Sequence, residues 1–372
     1  MACKTRLSAA LAITLLLAAA SWQTTSAQAI VSDVCATPST TVLKANASTV
    51  TRGVFSPTIA PVAHIQSGEI IIGECVTQRG SNDYAKLIKG DPGVEDIFFQ
   101  ATGSNRSNSY NVQAGNGGHI LTGPIQVCGA KAGDVLKVEI LALDPRKNPS
   151  TGKCYGANTQ GTSGYPAQVT NTSGVNFTDS AIIIYDVIAD ETGQWGYPVY
   201  QFMVPSTVIG PDGKTGGQVY PHPVNYGVPG ANGAFDPSHL GFLKRLAPAN
   251  ALDYGKNSTS PIIGASSGPP SNFGGNIDNW RIGAGVTIYY KVQVDGGLLS
   301  FGDCHAAEGD SELSGNAIEA SLTGTFRITT LPEATLPAAL KNMKAPVMET
   351  KDYILVHGFA YNDYISELTK PR

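Results

Sequence analysis

The chain has 372 residues, with 25 Lys and Arg against 29 Asp and Glu and a formal net charge of −4 at neutral pH. That balance leaves no electrostatic footprint for nucleic acid or anionic lipid, both of which are recognised through clustered cations. Charged residues make up only 15%, and the 42 Gly and 23 Pro are about one sixth of the chain, below the roughly 25–30% that accompanies disorder, so a compact, turn-rich protein is expected.

Residues 1–29 read as a secretory leader. Lys4 and Arg6 form a positive start, Leu11–Ala20 an apolar stretch, and Ala27-Gln28-Ala29 a small-x-small end. The apolar stretch falls short of the about 20 residues that span a bilayer, and no later segment is that long without charge. Removal of the leader leaves 343 residues with 23 Lys and Arg against 29 Asp and Glu. A secreted protein is therefore expected. Five Asn-x-Ser/Thr sequons, at Asn46, Asn105, Asn171, Asn176 and Asn257, agree with export and mark candidate surface glycans. Beyond the leader five cysteines remain: Cys35, Cys75, Cys128, Cys154 and Cys304. At most two bridges can form outside the cell, leaving at least one thiol, and the pairing is open.

Residues 30–60 form an N-terminal arm, 61–330 a β-rich main domain, and 331–372 a mixed tail packing on the core. Along the main domain, short apolar runs rich in β-branched residues predict strands at Glu69–Gly73, Val135–Leu141, Ala181–Tyr185, Thr287–Val292 and Thr323–Ile328. Residues Asn148–Ser180 lack apolar pattern and read as a long exposed excursion. Helices are expected at Pro237–Leu246, after Asp236 as N-cap, at Pro337–Met343, and at Asn362–Leu368. Many short strands between turns predict a mainly β protein, a large sandwich or barrel-like domain with few helices. An internal echo, Gly-Gly-x-Ile then Ala-Gly then a strand, recurs from Gly117 and from Gly274. It allows two related β units and would set His119 opposite Asn276. Two generic Gly-turn-strand segments explain it as well.

The chemistry concentrates in "SFGDCHAAEGDSELSGNAIE", Ser300 to Glu319, which holds five carboxylates and a histidine but no Lys or Arg. Leu298–Phe301 reads as a strand end and Gly302 as a turn. If extension continues, Asp303 and His305 share one face and Cys304 takes the other. A second strand carries Glu319. An Asp-x-His pair with a neighbouring carboxylate can ligate a divalent metal with an open position, or form a proton-transfer set without one. Glu308, Asp310 and Glu312 lie between. A second loop, "FGGNIDNW" from Phe273 to Trp280, offers Gly274 and Gly275 for close backbone approach. Asn276 and Asn279 can donate or accept hydrogen bonds, and Asp278 can accept them or ligate a metal. The plainer reading of both segments is turn-forming Asp and Asn beside Gly. Cys304 reads first as a buried or disulfide-bonded residue and only second as a nucleophile, and His64 and His119 as satisfied structural histidines.

"GGNIDN" followed about two dozen residues later by "GDxHAxxGDxExxGxAIE" is similar to the acetamidase/formamidase family, and "HILTGPIQVCGAKAGDVLKVEI" resembles its N-terminal signature. The resemblance runs from about Ser67 to Met348. It implies hydrolysis of a short linear amide, of the formamide or acetamide type, to carboxylate and ammonia. It also implies a β-rich, sandwich-like homo-oligomer with a divalent metal, Zn²⁺ or Ca²⁺, as candidate cofactor and no organic cofactor; neither nucleic acid nor membrane is an expected partner. Asp303, His305, Glu308, Asp310 and Glu319 then become candidate catalytic residues. Gly274, Gly275, Asn276, Asn279 and His119 are candidates for substrate binding, Asp278, Asp303 and His305 for metal. Thr122-Gly123-Pro124 is a third matching element. Glu308 stands where the family commonly has Gln, Ser314 where Cys is frequent, and Cys304 where Gly or Pro is more usual. A secreted, metal-stabilised β-sandwich that binds a ligand without catalysis is the alternative from another class.

Overall fold

A computed structural model of the protein describes residues 33–78, 84–99, 119–160, 181–189, 196–205, 218–221, 242–247, 265–267, 273–277, 279, 281–307 and 317–358. These build two large sheets. The first has seven strands in the spatial order β1 (Val42–Leu43), β5 (Ile70–Cys75), β17 (Leu322–Leu331), β7 (Val135–Pro145), β14 (Thr287–Lys291), β18 (Val347–Glu349) and β19 (Ile354–Val356). The second runs β11 (Gln218–Pro221), β10 (Gly196–Pro205), β9 (Ala181–Ala189), β8 (Cys154–Gln160), β16 (Ile318–Ala320), β15 (Leu299–Ala307), β6 (Ile120–Val127) and β2 (Val50–Arg52). Two further strands join it: β12 (Phe242–Ala247) pairs with β15, and β4 (Ala63–Ile65) with β6. A small ribbon pairs β3 (Val54–Phe55) with β13 (Ala265–Ser266).

Hydrophobic periodicity explains the layering. In β17, Leu322, Gly324, Phe326 and Ile328 are buried while the residues between them are half-exposed, the alternation of a strand with one face in the core. β14 repeats it. One apolar cluster joins the sheets: Ile71, Leu136, Val138, Ile288, Tyr290 and Phe326 from the seven-stranded sheet meet Ile65, Ile125, Val127, Leu299 and Phe301 from the ten-stranded one. Phe301 and Phe326 have ring centroids 5.2 Å apart, and the Phe301 ring occupies the space where a side chain at Gly73 would stand. The result is the mainly β, sandwich-like architecture expected, and among the described residues neither large sheet closes into a barrel.

β6 and β15 are the long strands of the interior, flanked by the short, equally buried β4 and β16. Every residue of both is buried, the signature of strands covered on both faces. One face looks into the sandwich. On the other, α1 (Tyr84–Leu87) and α2 (Pro92–Phe99) bring Leu87, Ile88, Val94 and Ile97 onto Val50, Ile120, Tyr155, Ala157 and Ile184. Neither helix is among those expected, although in α2 Asp91 and Pro92 precede Val94, Ile97 and Phe98 at helical spacing.

Several expectations need correction. The helix expected over Pro237–Leu246 is a strand from Phe242 onward, because pairing with β15 outweighs the local N-cap signal. The excursion expected from Asn148 contains β8, which pairs with both β9 and β16; neighbours on each side supply hydrogen bonds that its polar sequence does not advertise. Gly302 is no turn. β15 runs through it, and a Cβ there would overlap the Ile120 carbonyl oxygen of the adjacent strand, so glycine permits close strand approach. The five predicted strands correspond to β5, β7, β9, β14 and β17, and the expected helix after Pro337 is α3 (Ala338–Lys341). The helix expected at Asn362–Leu368 lies outside the described residues. In the internal echo the later halves, β7 and β14, are antiparallel neighbours. Their leading halves differ: Ile120 opens a buried strand, whereas Asn276 sits in a turn with φ +54°.

β1, β2 and β3 join the N-terminal arm to these sheets, and β18 and β19 do the same for the tail. Disulfides join Cys35 to Cys128 and Cys75 to Cys304, leaving Cys154 free. Cys304, held in a disulfide, is not a nucleophile. No helix among the described residues is long and apolar enough to cross a membrane.

Candidate active site

The site is set by which face each residue of β15 presents. Cys304 points into the sandwich, where it bonds Cys75 of the opposite sheet and joins the shared apolar cluster. Alternation then turns His305 to the outer face, and the left-handed backbone of Asp303, which breaks the alternation between Phe301 and Cys304, brings its carboxylate to the same side. Across the ladder, His305 is the register partner of Glu319 on β16, and Glu319 in turn of Ala157 on β8. Residues directly opposite on neighbouring strands project to the same side, so Glu319 joins Asp303 and His305. Ala157 belongs to the cluster under α1 and α2, which identifies this as the helix-covered face.

The three side chains converge. His305 Nε2 lies 3.2 Å from Glu319 Oε2 and 3.5 Å from Asp303 Oδ1. One ligand atom from each residue falls within 4.8 Å of the others. All three are almost fully buried, Asp303 at 1% exposure, His305 at 0% and Glu319 at 3%. Glu319 Oε2 is buried yet accepts no hydrogen bond, although the imidazole nitrogen is within reach. With both carboxylates ionised and the imidazole neutral, the trio carries two negative charges, and burying such a set demands a counter-charge. An imidazolium supplies one and a divalent cation two. The donor set, one nitrogen and two carboxylates with a buried oxygen still open, fits a small divalent metal.

Asp303 is held in an uncommon backbone conformation. Its φ is +53°, in the left-handed region that non-glycine residues seldom occupy. Its Oδ1 accepts a hydrogen bond from Gln78 Nε2, three residues beyond Cys75. Gln78 is a site residue that sequence reasoning missed: a lone Gln in the turn after β5 has no motif, and 225 positions separate it from its partner.

The second loop folds beside this strand. Phe273 packs edge-on against Phe55, with centroids 5.4 Å apart, and both cluster with Leu121. Leu121 is the register partner of Gly302, which ties the loop's start to the strand bearing Asp303. Gly274 has φ +119° and leaves no room for a Cβ against the Tyr290 ring, and Gly275 packs against Phe273 and Phe55. Asn279 Oδ1 accepts the Arg281 N–H at 3.0 Å, closing its own turn. Of the third matching element, Thr122 donates its hydroxyl to the Glu74 carbonyl at 2.7 Å. Gly123 sits where a side chain would crowd the Leu299 carbonyl.

His119 is not one of the three clustered ligands, and it shares a 2.7 Å hydrogen bond between Nδ1 and Ser267 Oγ. Among the described residues Glu319 is the third member of the ligand set. Asp278, Glu308, Asp310 and Glu312 lie outside the described residues.

Known proteins resemble this chain in sequence and in fold. The model of the Acetamidase/Formamidase family matches residues 43–201 and 247–366. The chain is 32% identical over 207 residues to an acetamidase of Mycolicibacterium smegmatis, an alignment covering 53% of this chain and 49% of that protein. It thus spans about half the length of that relative. A Schizosaccharomyces pombe protein assigned as a formamidase is 26% identical over 339 residues, covering 83% of this chain and 72% of its own. Among solved structures, the acetamidase of Yersinia enterocolitica superposes with a TM-score of 0.50 at 20% identity, over 85% of this chain and 73% of that one. At that identity the likeness speaks for the fold alone.

Proposed function

This chain belongs to the acetamidase/formamidase family, and on that premise we propose that it hydrolyses a short linear amide, of the formamide or acetamide type, to a carboxylate and ammonia. The observation that carries the proposal is the buried convergence of Asp303, His305 and Glu319 on the helix-covered face of β15 and β16. A carboxylate pair beside an imidazole can accept a proton from water and return one to a leaving nitrogen. In this reading the C–N bond breaks, a C–O bond forms, and the proton given up by water leaves with ammonia. Asp303 and His305 accept and hold the proton of the attacking water, and Glu319, or Glu308, delivers one to the nitrogen. Backbone N–H groups around Gly274–Asn276 face the developing oxyanion, a role that fixed dipoles perform in a dry site. Asn276 and Asn279 orient the substrate amide.

Asp303, His305 and Glu319 are the residues that would hold a divalent cation, Zn²⁺ or Ca²⁺. When bound, such an ion supplies Lewis-acid polarisation of a carbonyl. The reading extends to an exported glycoprotein assembling as a homo-oligomer. The sequons and leader support export, and so do two disulfides, which an oxidising compartment sustains.

The test is ammonia release by the purified full chain from formamide, acetamide and propionamide, with and without added Zn²⁺ or Ca²⁺. Turnover that disappears in His305→Ala, with the circular dichroism spectrum retained, is the expected result. No turnover of any short amide under either condition would sink the reading in favour of a ligand-binding sandwich.

A further inference from the structure

Cys75 and Cys304 lie on different sheets, β5 and β15, so their bond crosses the sandwich. Cys304 is also the residue between Asp303 and His305. On the other side of the bond, the chain leaves β5 and within three residues places Gln78, whose amide nitrogen donates to Asp303 Oδ1. The segment 75–78 thus grips β15 twice at consecutive residues, once through sulfur at Cys304 and once through a hydrogen bond at Asp303. What it grips is the left-handed residue of the strand. Strained backbone of that kind persists only where surrounding structure holds it. On the preceding side, Gly302 is packed against the Ile120 carbonyl, so the strand has no slack there.

We propose that Gln78 and the Cys75–Cys304 disulfide are positioning residues of the active site: they hold the Asp303 backbone in its left-handed conformation and aim its carboxylate at His305 and Glu319. The proposal rests on the amidase reading for its kinetic readout. The second disulfide provides an internal control. Cys35–Cys128 ties the N-terminal arm to the end of β6 and touches none of the three site residues.

Three variants test it: Gln78→Ala, the double variant Cys75→Ala/Cys304→Ala, and the control Cys35→Ala/Cys128→Ala. The expected result is a loss of kcat of about tenfold to hundredfold in the first two, the usual effect of removing support behind a site residue. KM should stay within about twofold, because substrate contacts are untouched, and the control should keep both constants. Thermal midpoints are measured alongside. A merely structural role would lower the midpoint of the Cys75/Cys304 variant and leave kcat intact, and that pattern overturns the proposal. If the double variant does not fold, Gln78→Ala decides alone, since it opens no core position. If the wild-type protein turns over no short amide, the amidase reading fails, and the brace is read by calorimetric titration with Zn²⁺ and Ca²⁺ alone. Ion affinity weakened about tenfold or more in Gln78→Ala then supports the brace, and unchanged affinity overturns it. Wild-type protein that neither hydrolyses amide nor takes up either ion overturns both.

Discussion

Replacement of Glu319 by Gln separates a site residue from a structural one by the signs of two effects. The change keeps shape and removes one charge from a set buried to within 3% of complete exclusion. At 4.8 Å, the bound on separations within the cluster, two like unit charges in an effective dielectric near 20 repel by about 3.5 kcal/mol. His305 at 3.2 Å from Glu319 returns part of that. For protein dialysed against chelator, Glu319→Gln should therefore be more stable by about 1–3 kcal/mol. That raises the thermal midpoint by several degrees, at about 2–4 °C per kcal/mol for a large domain. Amide turnover should fall about 10²- to 10⁴-fold with the loss of a proton-transfer group. Calorimetry and ammonia release on the same preparations give both numbers. Stability gained while activity is lost is the pattern of a residue retained for function. Turnover within threefold of wild type, or a midpoint lowered to the same extent, would make Glu319 a structural partner of His305 and refute the argument.

Gly302→Ala should cost about 1–3 kcal/mol, since a Cβ meets the Ile120 carbonyl and the paired strands must part. Turnover should fall with it because Asp303 is next in the chain, and an unchanged urea midpoint would contradict the close approach of β6 and β15. Burial holds the His357 imidazole below its ordinary range, opposed by its hydrogen bond to the Pro346 carbonyl. The unfolded chain then binds more protons just below about pH 6.5, so this stability is present above that pH and lost as pH falls towards the depressed value. Urea midpoints between pH 5 and 8 should show that slope, and His357→Asn should flatten it; parallel profiles would rule the residue out. Desolvation pushes the Cys154 thiol up, so it should alkylate more slowly with iodoacetamide at pH 8 than free glutathione does. Faster labelling would show an open, activated thiol instead.

The legible part of this molecule is the part written in local pattern. Alternation in Thr323–Ile328 and Thr287–Val292 is imposed by one buried face, and a short window suffices to see it. Asp303 and His305 were legible for the same reason, as residues two apart on one strand. Glu319 needed only a neighbouring strand. What failed to read is what depends on distant partners. Phe242–Ala247 carries helix signals, yet β15 pairs with it. Cys154–Gln160 looks like loop, yet is held between two strands. Gln78 serves Asp303 from 225 positions away, and no property of Gln78 announces it. The disulfides followed the same rule: counting limited their number, while the partners depended on which strands the fold brings face to face.

β15 shows why the acidic segment can be both interior and reactive. A strand buried on both faces must place every second side chain in a different environment. Here the left-handed backbone of Asp303 breaks that alternation once, so that Phe301 and Cys304, three residues apart, both face the other sheet and bind the two layers by packing and by a covalent bond. Asp303 and His305 face the helix-covered side, where Glu319 meets them. The residues that hold the layers together are thus interleaved in the chain with those that would carry the chemistry. The carboxylates gain a dry environment in which charge–charge terms are large, and they rest on a backbone that the sandwich core fixes. Cys304, where this chain leaves the family pattern, falls on the structural side of that division. On the proposed brace, the departure bears on how firmly Asp303 is held.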